Sequence, residues 1–127
     1  MALIGAGNQD MVILESCQKV PNVRITALCD IWTEYRQKYV SGRLRTYGQA
    51  HNTYVDIHDM LAKENGRIDA AIVATPDFWR AEHTVTCLNA GLHVHCEKEM
   101  SKPMWLAWRR AAPVWRARFP CCFRASR

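Results

Sequence analysis

Gly5 and Gly7, one residue apart in IGAGNQD, and Asp30, 23 positions after Gly7 at the close of RITALCD, are residue types at a spacing that can hold a dinucleotide. The first glycine permits a tight turn and the second lets backbone approach a pyrophosphate. A helix beginning just beyond, at about Gln9 with Asn8 immediately before it, aims its N-terminal N–H groups at the same phosphates. A carboxylate ending the second strand accepts hydrogen bonds from the ribose hydroxyls and repels a 2′-phosphate, which favours NAD over NADP. The third small position of G-x-G-x-x-G is Asp10, which puts a carboxylate beside an anion-binding turn, in a first helical turn whose dipole suits it.

That chemistry requires a strand before the turn and a helix after it. Ala2-Leu3-Ile4 reads as a short strand running into Gly5. Val12, Ile13, Cys17 and Val20 recur at helical spacing and predict a helix over 9–20, stopped by Pro21-Asn22. RITALC predicts a second strand over 24–29, followed by a helix over 32–44, a weak third strand near Thr46-Tyr47, and a helix over 57–64. DAAIVATP, apolar on both faces, predicts a central parallel strand ended by Pro76. A helix over 77–90 closes with Gly91 in the C′ position, and LHVHCE predicts the fifth strand. This alternation predicts an α/β fold over residues 1–101, a doubly wound parallel sheet of the Rossmann type. Methyltransferases using S-adenosylmethionine share much of the pattern but carry an acid just before the first glycine. Here that place is Ile4, and the sequence leans towards the dinucleotide.

The stretch ATPDFWRAEHTVTCLNAGLHVHCEKEMS, with IGAGNQD and ALCD, resembles the nucleotide-binding half of the Gfo/Idh/MocA oxidoreductase family over about residues 1–101. The resemblance implies that Thr75, Pro76 and Asp77 form a cofactor-lining turn after the fourth strand. Ala90-Gly91-Leu92-His93-Val94 matches the lead-in to a Glu-Lys-Pro motif, of which Glu97 and Lys98 are the first two residues. In that family the lysine lies beside the nicotinamide and the substrate hydroxyl, which makes Lys98 the candidate catalytic residue. Its charge favours alkoxide character as hydride leaves the carbinol carbon. The implied activity is NAD(P)-dependent hydride transfer to or from a sugar, polyol or related carbinol, with NAD the expected cofactor. Three positions depart from the family pattern: Asp10, Arg80 where a histidine is usual, and Glu99 in place of the proline. The family's substrate domain, with its Asp-x-x-x-His motif, has no counterpart in the 127 residues, so the chain is expected to be a truncated form without turnover.

Charge divides sharply along the chain. Residues 1–101 carry ten Lys and Arg against twelve Asp and Glu, a net −2, whereas residues 102–127 carry seven basic residues and no acid. That tail also holds Trp105, Trp108 and Trp115 and the helix breakers Pro103, Pro113 and Pro120. We read it as an irregular tail outside the domain, with the composition expected of out-of-frame translation. A nucleic-acid arm is the competing reading and is disfavoured by its tryptophan and cysteine content. A module that binds nucleotide without chemistry remains an alternative to the enzyme. The cysteines at 17, 29, 87, 96, 121 and 122 show no C-x-x-C spacing, and neither a membrane span nor a signal peptide is evident, so a cytoplasmic location is expected. His93 and His95 share a strand face but lack further ligands, and no metal site is expected; His51, His58 and His83 read as structural or solvated, and Trp79 as cofactor cover or packing.

Overall fold

The computed structural model of the chain describes residues 1–98. Five strands, β1 (Ala2–Ile4), β2 (Ala27–Cys29), β3 (Asn52–Tyr54), β4 (Ala70–Val73) and β5 (His93–Cys96), form one sheet in the order β3-β2-β1-β4-β5, every pairing parallel. Helices α1 (Asn8–Cys17), α2 (Lys38–Thr46), α3 (Ile57–Lys63) and α4 (Asp77–Asn89) make the connections. This is the doubly wound Rossmann arrangement, and its strand order reverses between β1 and β4. The boundary expected at residue 101 and the tail beyond it lie outside the described residues.

Strand alternation sorts the core into two layers. Ala2 and Ile4 face one way, with Met60 of α3 and Cys87 of α4. Leu3 faces the other, with Leu14 of α1 and Val40 and Leu44 of α2. Leu3, Leu28 and Val73 are fully buried, as strands covered on both sides must be. Cys29 and Cys87 pack in the first layer as small hydrophobes, and burial pushes both thiols up to about 12.

Two expectations need correction. Thr46 ends α2 and Tyr47 caps it; the third strand is Asn52–Tyr54. Gly48 stops the helix with φ 69°, its N–H donating to the Arg45 carbonyl, and β3 is an edge strand with two exposed residues that needs no apolar run. The helix expected over 32–44 is also not uniform. It opens with a π-helical turn, Thr33–Gln37, in which the Gln37 N–H reaches the Trp32 carbonyl at 3.1 Å. The Gln37 side chain, buried, donates to the Tyr54 carbonyl at 2.7 Å and so ties this turn to β3.

Candidate functional site

Strand register sets the site. Ile4 pairs with Cys29 and with Val73, Cys29 with Tyr54, and Val73 with Cys96, so the carboxyl ends of all five strands are level. For β1, β2, β4 and β5 the next residue is held by a further backbone bond: Gly5 N–H to the Cys29 carbonyl, Asp30 to Tyr54, Ala74 to Ile4 and Glu97 to Val73, at 2.8–3.0 Å. The predicted site residues therefore meet on one rim, at the point where the strand order reverses. Ligand crevices of open α/β sheets form at such points.

The two glycines are required for different reasons. Gly5 has φ +104°, and a Cβ there would lie 3.1 Å from the Ala74 backbone, so the fold itself demands glycine. Gly7 has φ −78°, and a Cβ would make ordinary contacts, 3.4 Å to Asp10 and 3.7 Å to Arg36. Packing within the chain does not require glycine at position 7, whereas a ligand lying against the backbone would. Asn8 and Gln9 begin α1 and are exposed, and Gln9 Nε2 donates to Glu97 Oε1 at 3.3 Å, joining the first turn to the end of β5.

Carboxylates hold the turn from two sides. Asp30 Oδ2 accepts from the Ala6 N–H at 2.7 Å and its Oδ1 from the Trp32 N–H at 2.6 Å. Each oxygen keeps acceptor capacity for a further donor. Asp10, fully buried at the third residue of α1, turns back so that Oδ2 accepts from the Gly7 N–H at 2.8 Å, the acidic half of a capping box. Its Oδ1 has no hydrogen-bond partner among the described residues. Burial pushes this carboxyl up to about 7; the N–H groups of Gly7 and of Asp10 itself oppose the rise, Asp30 adds to it, and Arg80 opposes it more weakly.

On the β4 side, Thr75 is buried, and Oγ1 lies 3.1 Å from His83 Nδ1, while the His83 ring stacks on Trp79 at 5.8 Å between centroids. Pro76 caps α4 and Asp77 opens it, exposed, its Oδ1 accepting from the Phe78 N–H. Arg80 donates through Nε to the Thr75 carbonyl at 2.6 Å and through Nη1 to the Lys98 carbonyl, strapping the β4 turn to the end of β5. Lys98 is exposed at the edge of the rim.

Sequence reading missed how Asp10, Arg80 and His83 are used. Gly7-to-Asp10 has capping-box spacing, which was a usable signal; the other two contacts arise only from folding. Arg36, whose guanidinium sits 5.6 Å from the Trp32 ring centroid and close to Gly7, was also missed. The described residues hold no group of three or more metal-ligating side chains. No helix among them is long and apolar enough to cross a membrane. A hollow of about 230 Å³ lined by Glu64, Gly66, Ile68 and Leu92 lies by the loops that precede β4 and β5, away from this rim.

Residues 1–117 match the family described as "Oxidoreductase family, NAD-binding Rossmann fold", Gfo/Idh/MocA, and the chain belongs to it. It is 30% identical over 109 residues to a glycosyl hydrolase family 109 protein of Stenotrophomonas maltophilia, covering 76% of this chain and 22% of that one. It is 30% identical over 97 residues to 4-carboxy-2-hydroxymuconate-6-semialdehyde dehydrogenase of a Sphingobium species, covering 76% and 29%. Its fold is similar to that of myo-inositol 2-dehydrogenase from Lactobacillus plantarum, with a TM-score of 0.77 and 26% identity over 92% of this chain and 32% of that one. The chain thus spans less than a third of the length of these relatives.

Proposed function

We propose, from the chain's membership of the Gfo/Idh/MocA family, that this rim binds NAD(H) for hydride exchange with the carbinol carbon of a sugar, polyol or related small molecule. The observation that carries the reading is the Gly5-Ala6-Gly7 turn bonded to Asp30 at the strand-order reversal, with backbone at Gly7 open to close approach. The N-terminus of α1, with Asn8 and Gln9, receives the pyrophosphate. Asp30 takes the ribose hydroxyls and selects NAD over NADP. Thr75, Pro76 and Asp77 line the nicotinamide half, with Glu97 and Lys98 at its edge. Nicotinamide, when bound, supplies or accepts the hydride. Lys98 stabilises negative charge on the substrate oxygen.

Hydride transfer also needs a substrate held against the ring and a proton acceptor, which together are worth many powers of ten in rate. Relatives with such different names as a glycosyl hydrolase and a semialdehyde dehydrogenase leave the substrate at the level of class. Titration with NADH and NADPH, read by energy transfer from tryptophan to the nicotinamide, tests the reading. Saturable binding with NADH the tighter ligand supports it; no saturation with either cofactor overturns it.

A further inference from the structure

We infer that dinucleotide binding by this chain is coupled to protonation of Asp10: the Gly5-Ala6-Gly7 turn accepts a pyrophosphate when the Asp10 carboxyl is neutral and rejects it when the carboxyl is ionised. The inference rests on the cofactor reading above and adds to it a residue that sets when the site is competent.

The geometry is specific to this sequence. Where the glycine pattern calls for a third small residue, Asp10 places a carboxyl under the turn. Oδ2 occupies the Gly7 N–H at 2.8 Å, and the same oxygen would lie 3.2 Å from a Cβ on Gly5. An arriving phosphate therefore meets an N–H already engaged by a carboxyl oxygen, at the positive end of a ten-residue helix. Among the described residues Oδ1, within a fully buried side chain, has no hydrogen bond, so an ionised Asp10 is compensated only by the N–H groups of Gly7 and of Asp10 itself and by Arg80, which do not outweigh its burial. With Oδ2 engaged as an acceptor, the proton belongs on Oδ1, where it removes the charge that opposes the ligand.

The charged groups around Asp10 come from every neighbouring element. Asp30, after β2, is held beside the turn by its bond to the adjacent Ala6 N–H and repels an ionised Asp10. Arg80, on α4, is attractive to Asp10 but is also engaged by the Thr75 and Lys98 carbonyls. Arg36, from the π-helical turn, lies near Gly7 and stacks on Trp32. Glu97, after β5, is held by Gln9. The rim thus has acids and bases in balance, and an ionised Asp10 tips the turn itself to negative. Burial sets the carboxyl near neutrality, so both states are populated around pH 7.

The test is the dissociation constant of NADH for the 127-residue chain between pH 6 and 8.5, for the unmodified protein, Asp10→Asn and Asp10→Gly. One-proton linkage predicts a constant that is flat below about pH 7 and weakens by up to about tenfold per pH unit above it. Asp10→Asn, which keeps an oxygen for the Gly7 N–H but no charge, is expected to bind as the unmodified chain does at pH 6 and about tenfold tighter at pH 8. Calorimetry at pH 8 in two buffers of different ionisation enthalpy is expected to show uptake approaching one proton per NADH by the unmodified chain. That measurement needs no variant to fold. A flat affinity profile, zero proton uptake, or the same pH slope in Asp10→Asn overturns the inference and leaves the cofactor reading standing. Absence of saturable binding in all three proteins at pH 6 overturns both.

Discussion

The Ala6 N–H donates to Asp30 Oδ2 over 2.7 Å, joining the glycine turn after β1 to the end of β2 across 24 residues of sequence. Asp30 therefore shapes the turn as well as supplying the carboxylate proposed to meet a ribose. Asp30→Ala removes the proposed ribose acceptor and leaves the Ala6 N–H without its partner, at about 1–3 kcal/mol for an unsatisfied donor. NADH affinity is expected to fall by about tenfold or more, with NADPH affected less, so that the preference for NADH narrows. Paired titrations of the two cofactors check this, and tighter binding of NADPH by the unmodified chain would remove the role given to Asp30.

Gly5 and Gly7 are expected to separate folding from binding. Gly5→Ala forces a Cβ to 3.1 Å from the Ala74 backbone at φ +104°, and is expected to destabilise the fold by about 1–3 kcal/mol. Gly7→Ala meets only ordinary contacts at an ordinary φ, so its urea midpoint is expected to stay near that of the unmodified chain while NADH binding weakens severalfold. Equal loss of stability in the two variants would contradict this division.

Much of this arrangement is legible in the sequence because its signals are local. Gly5 announces a turn, Gly91 with φ 88° ends α4, and the apolar run of β4 can only be a strand covered on both faces. Asp30 is readable because the second strand ends where its apolar run ends. β3 is not readable in this way: as an edge strand of Asn52, Thr53 and Tyr54 it lacks the burial that writes a pattern. Gln37, at the end of the π-helical turn, is placed by reaching the Tyr54 carbonyl, a contact between elements. The same holds for Arg80, whose two carbonyl partners meet only once β4 and β5 are paired.

His83 reads as structural or solvated in the sequence, yet it joins Thr75 to Trp79 through a hydrogen bond and a stacked ring. Burial lowers its pKa, with His58 acting in the same direction and Glu82 and Asp56 against it. A histidine held neutral in the fold protonates more readily when unfolded. Its contribution to stability is therefore intact above the ordinary range near pH 6.5 and is lost as pH falls below it. NMR titration of the ring is expected to give a midpoint below 6.5, moving towards the ordinary value in Trp79→Ala as the ring gains solvent. A midpoint above 6.5 would show that its acidic neighbours outweigh burial.

Asp10 gives a stability prediction that needs no ligand. Its carboxyl titrates near 7 in the folded chain against about 3.8 when exposed, so between these values the folded state holds a proton that the unfolded state has lost. Stability from this group is then complete below pH 4 and declines as pH rises through 7, opposite to the behaviour of a salt-bridged carboxylate. Integrated from pH 5 to pH 8, the decline amounts to about 2–3 kcal/mol, with Arg80 and the Gly7 N–H already counted in the position of the titration. Asp10→Asn removes the titration and keeps an acceptor for the Gly7 N–H. Its stability relative to the unmodified chain is expected to improve by about that amount from pH 5 to pH 8, read from urea unfolding at each pH. A constant difference between the two proteins across that range would mean that Asp10 is ionised throughout, and that the turn carries a full negative charge at every pH tested.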